Sequence, residues 1–208
     1  MKGQLFPYKD ENVTRKRPYV TWALIAVTVA IFILSLTNFE NIISKYGFMP
    51  SEFALLTLLT SMFLHGGFDH IIGNMWFLFL FGDNVEDKFG KAKYLAFYLV
   101  AGIAATFVHY LTNPASTIPT IGASGAISGV LGAYMILFPK VRVHVAVYYQ
   151  RTTVPAYVMI GLWFFMQLIF GAMSLAGGQG SGIAFFAHVG GFVFGCAVTW
   201  LARKLGRI

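Results

Sequence analysis

Two short segments, Gly122-Ala123-Ser124-Gly125 and Ala187-His188-Val189-Gly190-Gly191, set a serine and a histidine inside strongly apolar runs. A serine hydroxyl becomes a nucleophile when an imidazole within hydrogen-bond reach can take its proton, so these two residues are the parts of an acyl-transfer catalyst. Two further polar side chains, His70 and Asn74, stand four positions apart, which puts both on one face of a helix. Each also has a plainer reading. A serine in an apolar helix is commonly back-bonded to its own backbone, a lone histidine can be a structural hydrogen bond, and His70 with Asn74 can form an interhelical clasp. Only their position relative to one another decides between the two readings.

The surroundings are those of a membrane. The chain of 208 residues is 57% hydrophobic and 11% charged, with a mean hydropathy of +0.69, whereas soluble domains carry about a quarter charged residues. Its net charge of +7 does not indicate a nucleic-acid partner, because the basic residues lie in short segments between apolar runs rather than on one polar face. The single cysteine, Cys196, provides no intrachain disulfide. The first apolar run follows a basic tail over residues 1–18, but it exceeds a secretory h-region and lacks a small-x-small cleavage site, so it reads as a retained anchor.

An all-α, polytopic bundle is therefore expected, with helices near Tyr19–Thr37, Asp69–Phe81, Ala92–Thr112, Ser124–Phe138, Pro155–Leu175 and Phe185–Ala202, forming one membrane domain over residues 19–208. Six crossings put both termini on one side. The basic residues test this independently: Lys2, Lys9, Arg15, Lys16 and Arg17, then Lys88, Lys91 and Lys93, then Lys140, Arg142 and Arg151, and finally Arg203, Lys204 and Arg207 all fall on that side. Of the 15 Lys and Arg only Lys45 does not, and the positive-inside rule makes the shared side cytoplasmic. The apolar stretch Ser51–Leu64 is too short to span and reads as a helix lying in the outer interface or re-entering the bundle. The outer loops over Asn113–Thr120 and Ala176–Gly182 carry no charge.

This topology brings the polar residues to one depth. The helices that begin near Asp69, Ser124 and Phe185 all run inward from the outer face, so His70, Asn74, Ser124 and His188 share an outer layer. The helix Ser124–Phe138 is short, about 22 Å at about 1.5 Å per residue, against a hydrocarbon core of about 30 Å. Longer neighbours leave an aqueous pit above its N-terminus, where unpaired backbone N–H groups and the positive dipole end favour an oxyanion. Gly125, Gly129 and Gly132 on that helix, and the G-x-x-x-G pair Gly191 and Gly195 on the last one, permit the close backbone approach that a Ser–His hydrogen bond requires. Metal binding is the weaker competitor: His65, His70 and His188 with Asp69 lack any paired-ligand spacing. Asp69, the one acid near the right level, adjoins His70 at the mouth and is poorly placed to serve His188, which favours a dyad over a triad. Ser128, one turn below Ser124, is a candidate to hydrogen-bond the imidazole.

His65-Gly66-Gly67-Phe68-Asp69-His70-Ile71-Ile72-Gly73-Asn74, Gly82-Asp83-Asn84-Val85-Glu86-Asp87, Gly122-Ala123-Ser124-Gly125-Ala126 and Ala187-His188-Val189-Gly190-Gly191 occur in an order and spacing that resemble the rhomboid family of intramembrane serine proteases. That resemblance implies Ser124 as nucleophile and His188 as general base. It also implies His70 and Asn74 as an oxyanion-stabilising pair alongside the Ser124 N–H, and Glu86 as a structural acid at the inner end of the second helix. Gly122, Gly125, Ser128, Gly191 and Gly195 fall in or beside the same motifs as structural positions. The chain departs from some members in having Leu56-Thr57 where they carry a Trp-Arg pair, and Ser128 where they carry a tyrosine packed on the histidine.

The function expected is that of an endopeptidase cutting in or near transmembrane segments of single-pass or polytopic membrane proteins, with no cofactor, no metal and no nucleic acid. Its expected location is a prokaryotic plasma membrane. By the resemblance, helix-weakening residues near the scissile bond and a small residue before it are preferred. The alternative is a catalytically silent relative that binds membrane-protein clients. A transporter is disfavoured by the absence of broken-helix ion sites in mid-membrane.

Overall fold

In a computed structural model, residues 6–147, 150–176 and 183–208 are described. Lys2 of the basic tail and residues 177–182 of the glycine-rich loop expected before Phe185 lie outside them. The chain is mostly helical, and its elements are β1 (Phe6–Asp10), α1 (Tyr19–Ser35), α2 (Phe39–Tyr46), α3 (Thr57–Thr60), α4 (Phe68–Phe89), α5 (Lys91–Thr112), α6 (Ser124–Leu137), β2 (Arg142–Val147), β3 (Gln150–Pro155), α7 (Ala156–Leu175) and α8 (Phe185–Lys204). By length and composition α5, α7 and α8 suffice to cross a membrane, and α1 and α6 are apolar but shorter. Large apolar side chains such as Leu34, Ile72, Phe79, Phe165 and Met173 face outward, which is the surface a lipid solvent demands.

The core lies where α4, α5 and α6 meet, around Leu78, Phe81, Val85, Tyr98, Val130 and Tyr134, with Phe81 and Tyr134 edge to face. Helix α6 is enclosed, with ten consecutive buried residues from Gly125 to Tyr134. It is therefore the scaffold on which the other helices are placed.

Three expectations need correction. The chain is not purely helical: β1, β2 and β3 form an antiparallel sheet in that order, with Phe6 opposite Ala146 and Arg142 opposite Pro155. Val143, Val145 and Thr153 belong to runs with the alternation and β-branching that fit a strand, but their shortness and basic flanks made them read as a loop and the first residues as a tail. Secondly, α4 continues eight residues past Phe81. Its polar inner turns are satisfied by the N-terminal segment, and it stops at Gly90, whose φ of +75° ends the helix. Thirdly, Ser51–Leu64 is not one helix but a turn at Pro50–Glu52, α3, and a turn at Ser61–Phe63. Thr57 and Thr60 donate their hydroxyls to the Ala54 and Tyr46 carbonyls, and such side-chain bonds compete with a continuous helix.

Glu86 accounts for much of the end of the bundle where α4 meets the start of α1. Its carboxylate accepts the backbone N–H groups of Val20 at 3.0 Å and Thr21 at 2.8 Å and the Thr21 hydroxyl at 2.9 Å. Helix α1 starts after Pro18 with no side-chain cap of its own, so Glu86 satisfies its open N–H groups and opposes its positive end. Nearby, Tyr134 and Asn84 both donate to Asp10 Oδ2, tying β1 to α6 and α4. Burial holds the Asp10 carboxyl above the usual range, against those hydrogen bonds.

Candidate active site

Ser124 is the first residue of α6 and His188 lies in the first turn of α8. These two helices approach backbone to backbone. A methyl group at Gly191 would overlap the Gly125 carbonyl, and one at Gly195 would overlap that of Gly129. Glycine is therefore required along this seam. On the other side of α6, a Cβ at Gly125 would stand 2.6 Å from that of Ala105, and one at Gly129 2.7 Å from that of Ala101, so α5 fixes the same helix from behind.

The segment entering α6 is held from the outer loops. Phe48 and Thr120 exchange backbone hydrogen bonds of 3.1 and 2.7 Å, and the Gly122 N–H donates to the Ser61 carbonyl at 2.9 Å. Gly122 has φ of +123° and lies against the His70 imidazole, where a Cβ would come within 2.7 Å of Nε2. Both conditions demand glycine at the turn before the serine.

The geometry joins the two central residues: Ser124 Oγ and His188 Nε2 are 2.8 Å apart. His70 and Asn74 line the same cavity of about 800 Å³, together with His109 and Thr106 of α5. The Asn74 amide donates one hydrogen to the His70 carbonyl at 3.0 Å, which orients the side chain and leaves its second N–H available. The His70 ring packs edge-on against that of the fully buried His65, with centroids 4.9 Å apart.

Ser128 does not reach the imidazole. Its hydroxyl donates to the Ser124 carbonyl at 2.6 Å, the back-bond a helical serine makes to the residue four earlier. The partner at His188 Nδ1 is Gln167 Oε1, at 2.8 Å, and the Trp163 ring lies 6.0 Å from the imidazole. Trp163 and Gln167 are four apart on one face of α7. Sequence reasoning missed both. A signal was present, since Gln167 is the one side-chain amide in an otherwise apolar run from Ala156 to Leu175, and an amide in lipid needs a partner. Glu86 lies at the opposite end of the bundle, bonded to α1, and Gly191 and Gly195 lie in the seam against the Gly125 and Gly129 carbonyls.

Serine and imidazole at this distance, beside a helix N-terminus and a cavity large enough to hold a peptide segment as well as water, can activate a hydroxyl and receive a developing oxyanion. Comparison with known proteins identifies the family. Residues 52–205 match the family described as Rhomboid domain. The chain is 28% identical over 194 residues to "Rhomboid protein 1, mitochondrial" of Saccharomyces cerevisiae, covering 89% of this chain and 54% of that protein. It is 32% identical over 127 residues to "Rhomboid protease GluP" of Bacillus subtilis, covering 57% of this chain and 24% of that one. Against "Rhomboid-like protein 11, chloroplastic" of Arabidopsis thaliana it is 24% identical over 214 residues, covering 94% and 70%. The chain thus spans about half the length of the yeast relative and about a quarter of the Bacillus one. With most of its length matched and its polar residues gathered at the start of α6, this membrane protein belongs to the rhomboid family.

Proposed function

We propose that the chain is an intramembrane serine endopeptidase acting through Ser124 and His188. The observation that carries this is the 2.8 Å approach of Ser124 Oγ to His188 Nε2 in the wall of the cavity. Nε2 takes the hydroxyl proton as Oγ attacks a substrate carbonyl carbon. The resulting oxyanion is received by the Asn74 amide, the His70 ring and the Ser124 backbone N–H, one of the open donors of a helix start. The protonated imidazole then gives its proton to the leaving amine, producing an acyl-enzyme. Water entering through the cavity attacks that ester with Nε2 again as base, and Ser124 is regenerated.

A carbonyl held in a helix is already hydrogen-bonded, so the substrate is a membrane protein whose helix unwinds near the cut. On this reading the chain crosses six times over residues 19–208 with residues 1–18 on the inner face, which would put the pair in the outer half of the bilayer, and the distribution of Lys and Arg supports this sidedness. A prokaryotic plasma membrane with both termini cytoplasmic is the location we favour, in a family whose named members include mitochondrial and chloroplastic proteins.

The test is cleavage in proteoliposomes of a single-pass protein bearing a helix-weakening residue in its outer half. Wild type should cut it, whereas Ser124→Ala and His188→Ala, each folded by thermal melting, should be slower by at least about 10³-fold. Binding of the client without cleavage by wild type would select the silent reading instead.

A further inference from the structure

The His188 imidazole is engaged at both ring nitrogens, Nε2 by Ser124 Oγ and Nδ1 by Gln167 Oε1, each at 2.8 Å. We propose that Gln167 is a positioning residue. Its amide oxygen accepts the Nδ1 proton and so fixes the tautomer in which Nε2 is bare, a role that rests on Ser124 and His188 being nucleophile and base.

A neutral imidazole carries one ring proton. Placed on Nε2, it would be donated to Ser124 Oγ, and the ring could not then take the serine proton. Placed on Nδ1, it needs an acceptor there, and among the described residues Gln167 is the side chain that supplies one. Ser128 is committed to the Ser124 carbonyl. A carboxylate would hold the tautomer more firmly, but an anion in this apolar setting is costly to bury, and an amide oxygen supplies the acceptor without the charge. Trp163, one turn earlier on α7, flanks the ring, and Phe164 stacks on Phe192 of α8 at 4.3 Å, holding α7 in register with the histidine.

The amide also has two faces. Turned over, it presents N–H to Nδ1, which must then accept, and the proton moves to Nε2. The same residue therefore permits catalysis with its oxygen inward and blocks it with its nitrogen inward. Substitutions that keep shape but fix or remove the acceptor separate this role from packing.

The experiment measures kcat, KM and the pH profile of cleavage in proteoliposomes for wild type, Gln167→Leu and Gln167→Glu, with thermal melting of each. The other titratable groups that act on the imidazole, His70 of α4 and His109 of α5, are common to all three. Gln167→Leu should lower kcat about tenfold with KM unchanged, the worth of one hydrogen bond to the reacting group. It should also move the acid limb to lower pH, because the imidazolium loses an acceptor. Gln167→Glu should restore most of kcat and move the acid limb to higher pH, because a carboxylate favours the protonated ring. Wild-type kcat and pH profile in Gln167→Leu, or an unmoved acid limb in Gln167→Glu, would overturn the proposal, and the second result decides it even if the leucine variant does not fold. Cleavage retained by Ser124→Ala would instead remove the underlying assignment, whatever the Gln167 variants do.

Discussion

Two of the helices packed against α8, α6 and α7, hold it in opposite ways. Toward α6 the contact is backbone on backbone, with Gly191 and Gly195 against the Gly125 and Gly129 carbonyls, leaving no room for a methyl group at either α8 glycine. Toward α7 it is made by large side chains, Trp163 and Phe164 on Phe192, while most of α7 is exposed and only Ala156, Met159, Ile160 and Gly171 are buried. The first contact fixes the Ser124–His188 distance to within what two rigid helices allow. The second fixes only how the ring is turned. Glycine thus sets the separation of Ser124 and His188, and a single amide from a helix whose surface is otherwise mostly exposed meets the imidazole at Nδ1.

Substitutions can break this contrast, and the largest effect is expected in the seam. Gly195→Val, and Gly191→Val beside it, should destabilise the protein by about 3 kcal/mol or more and abolish cleavage, because overpacking against a carbonyl moves backbone rather than a rotamer. Normal melting and normal turnover in either variant would show that the seam does not set the catalytic distance. Next in size is the cavity wall. Asn74→Ala should slow cleavage about 10²–10³-fold, the cost of one oxyanion donor, while Ser124 still reacts with a fluorophosphonate. An unchanged rate would return Asn74 to a purely structural bond with the His70 carbonyl. Smallest is the control on α7: a methyl group at Gly161 would have nothing within 4 Å, so Gly161→Ala should change stability by no more than about 1 kcal/mol, through helix propensity alone. A large loss there would mean that α7 is packed as tightly as α6.

The same contrast explains what could be read from the sequence. The seam was legible because glycines at four-residue spacing and a serine at the start of a short apolar run are local patterns, and local patterns with one sign of loop charge suffice to order helices by depth. Ser124, His188, His70 and Asn74 could be grouped for that reason alone. Gln167 could not be paired with His188, because rotation of α7 about its axis leaves no periodic mark when nearly every face is apolar. Ser128 was misassigned for a related reason: spacing gives the turn a hydroxyl lies on, not whether its own backbone claims it first. The inner sheet was missed because β1 and β2 are far apart in sequence and short, so their pairing is a tertiary fact. The service of Glu86 to the start of α1 leaves no local mark, because it depends on contacts between residues 65 and 66 positions apart.

The most direct measurement of the central claim is to label the reconstituted protein with a fluorophosphonate and locate the adduct by mass spectrometry. A single adduct on Ser124, absent from Ser124→Ala and formed far more slowly in folded His188→Ala, is the result predicted by a hydroxyl activated through a 2.8 Å bond to Nε2. An adduct elsewhere, or labelling of Ser124 at the wild-type rate without His188, would contradict it.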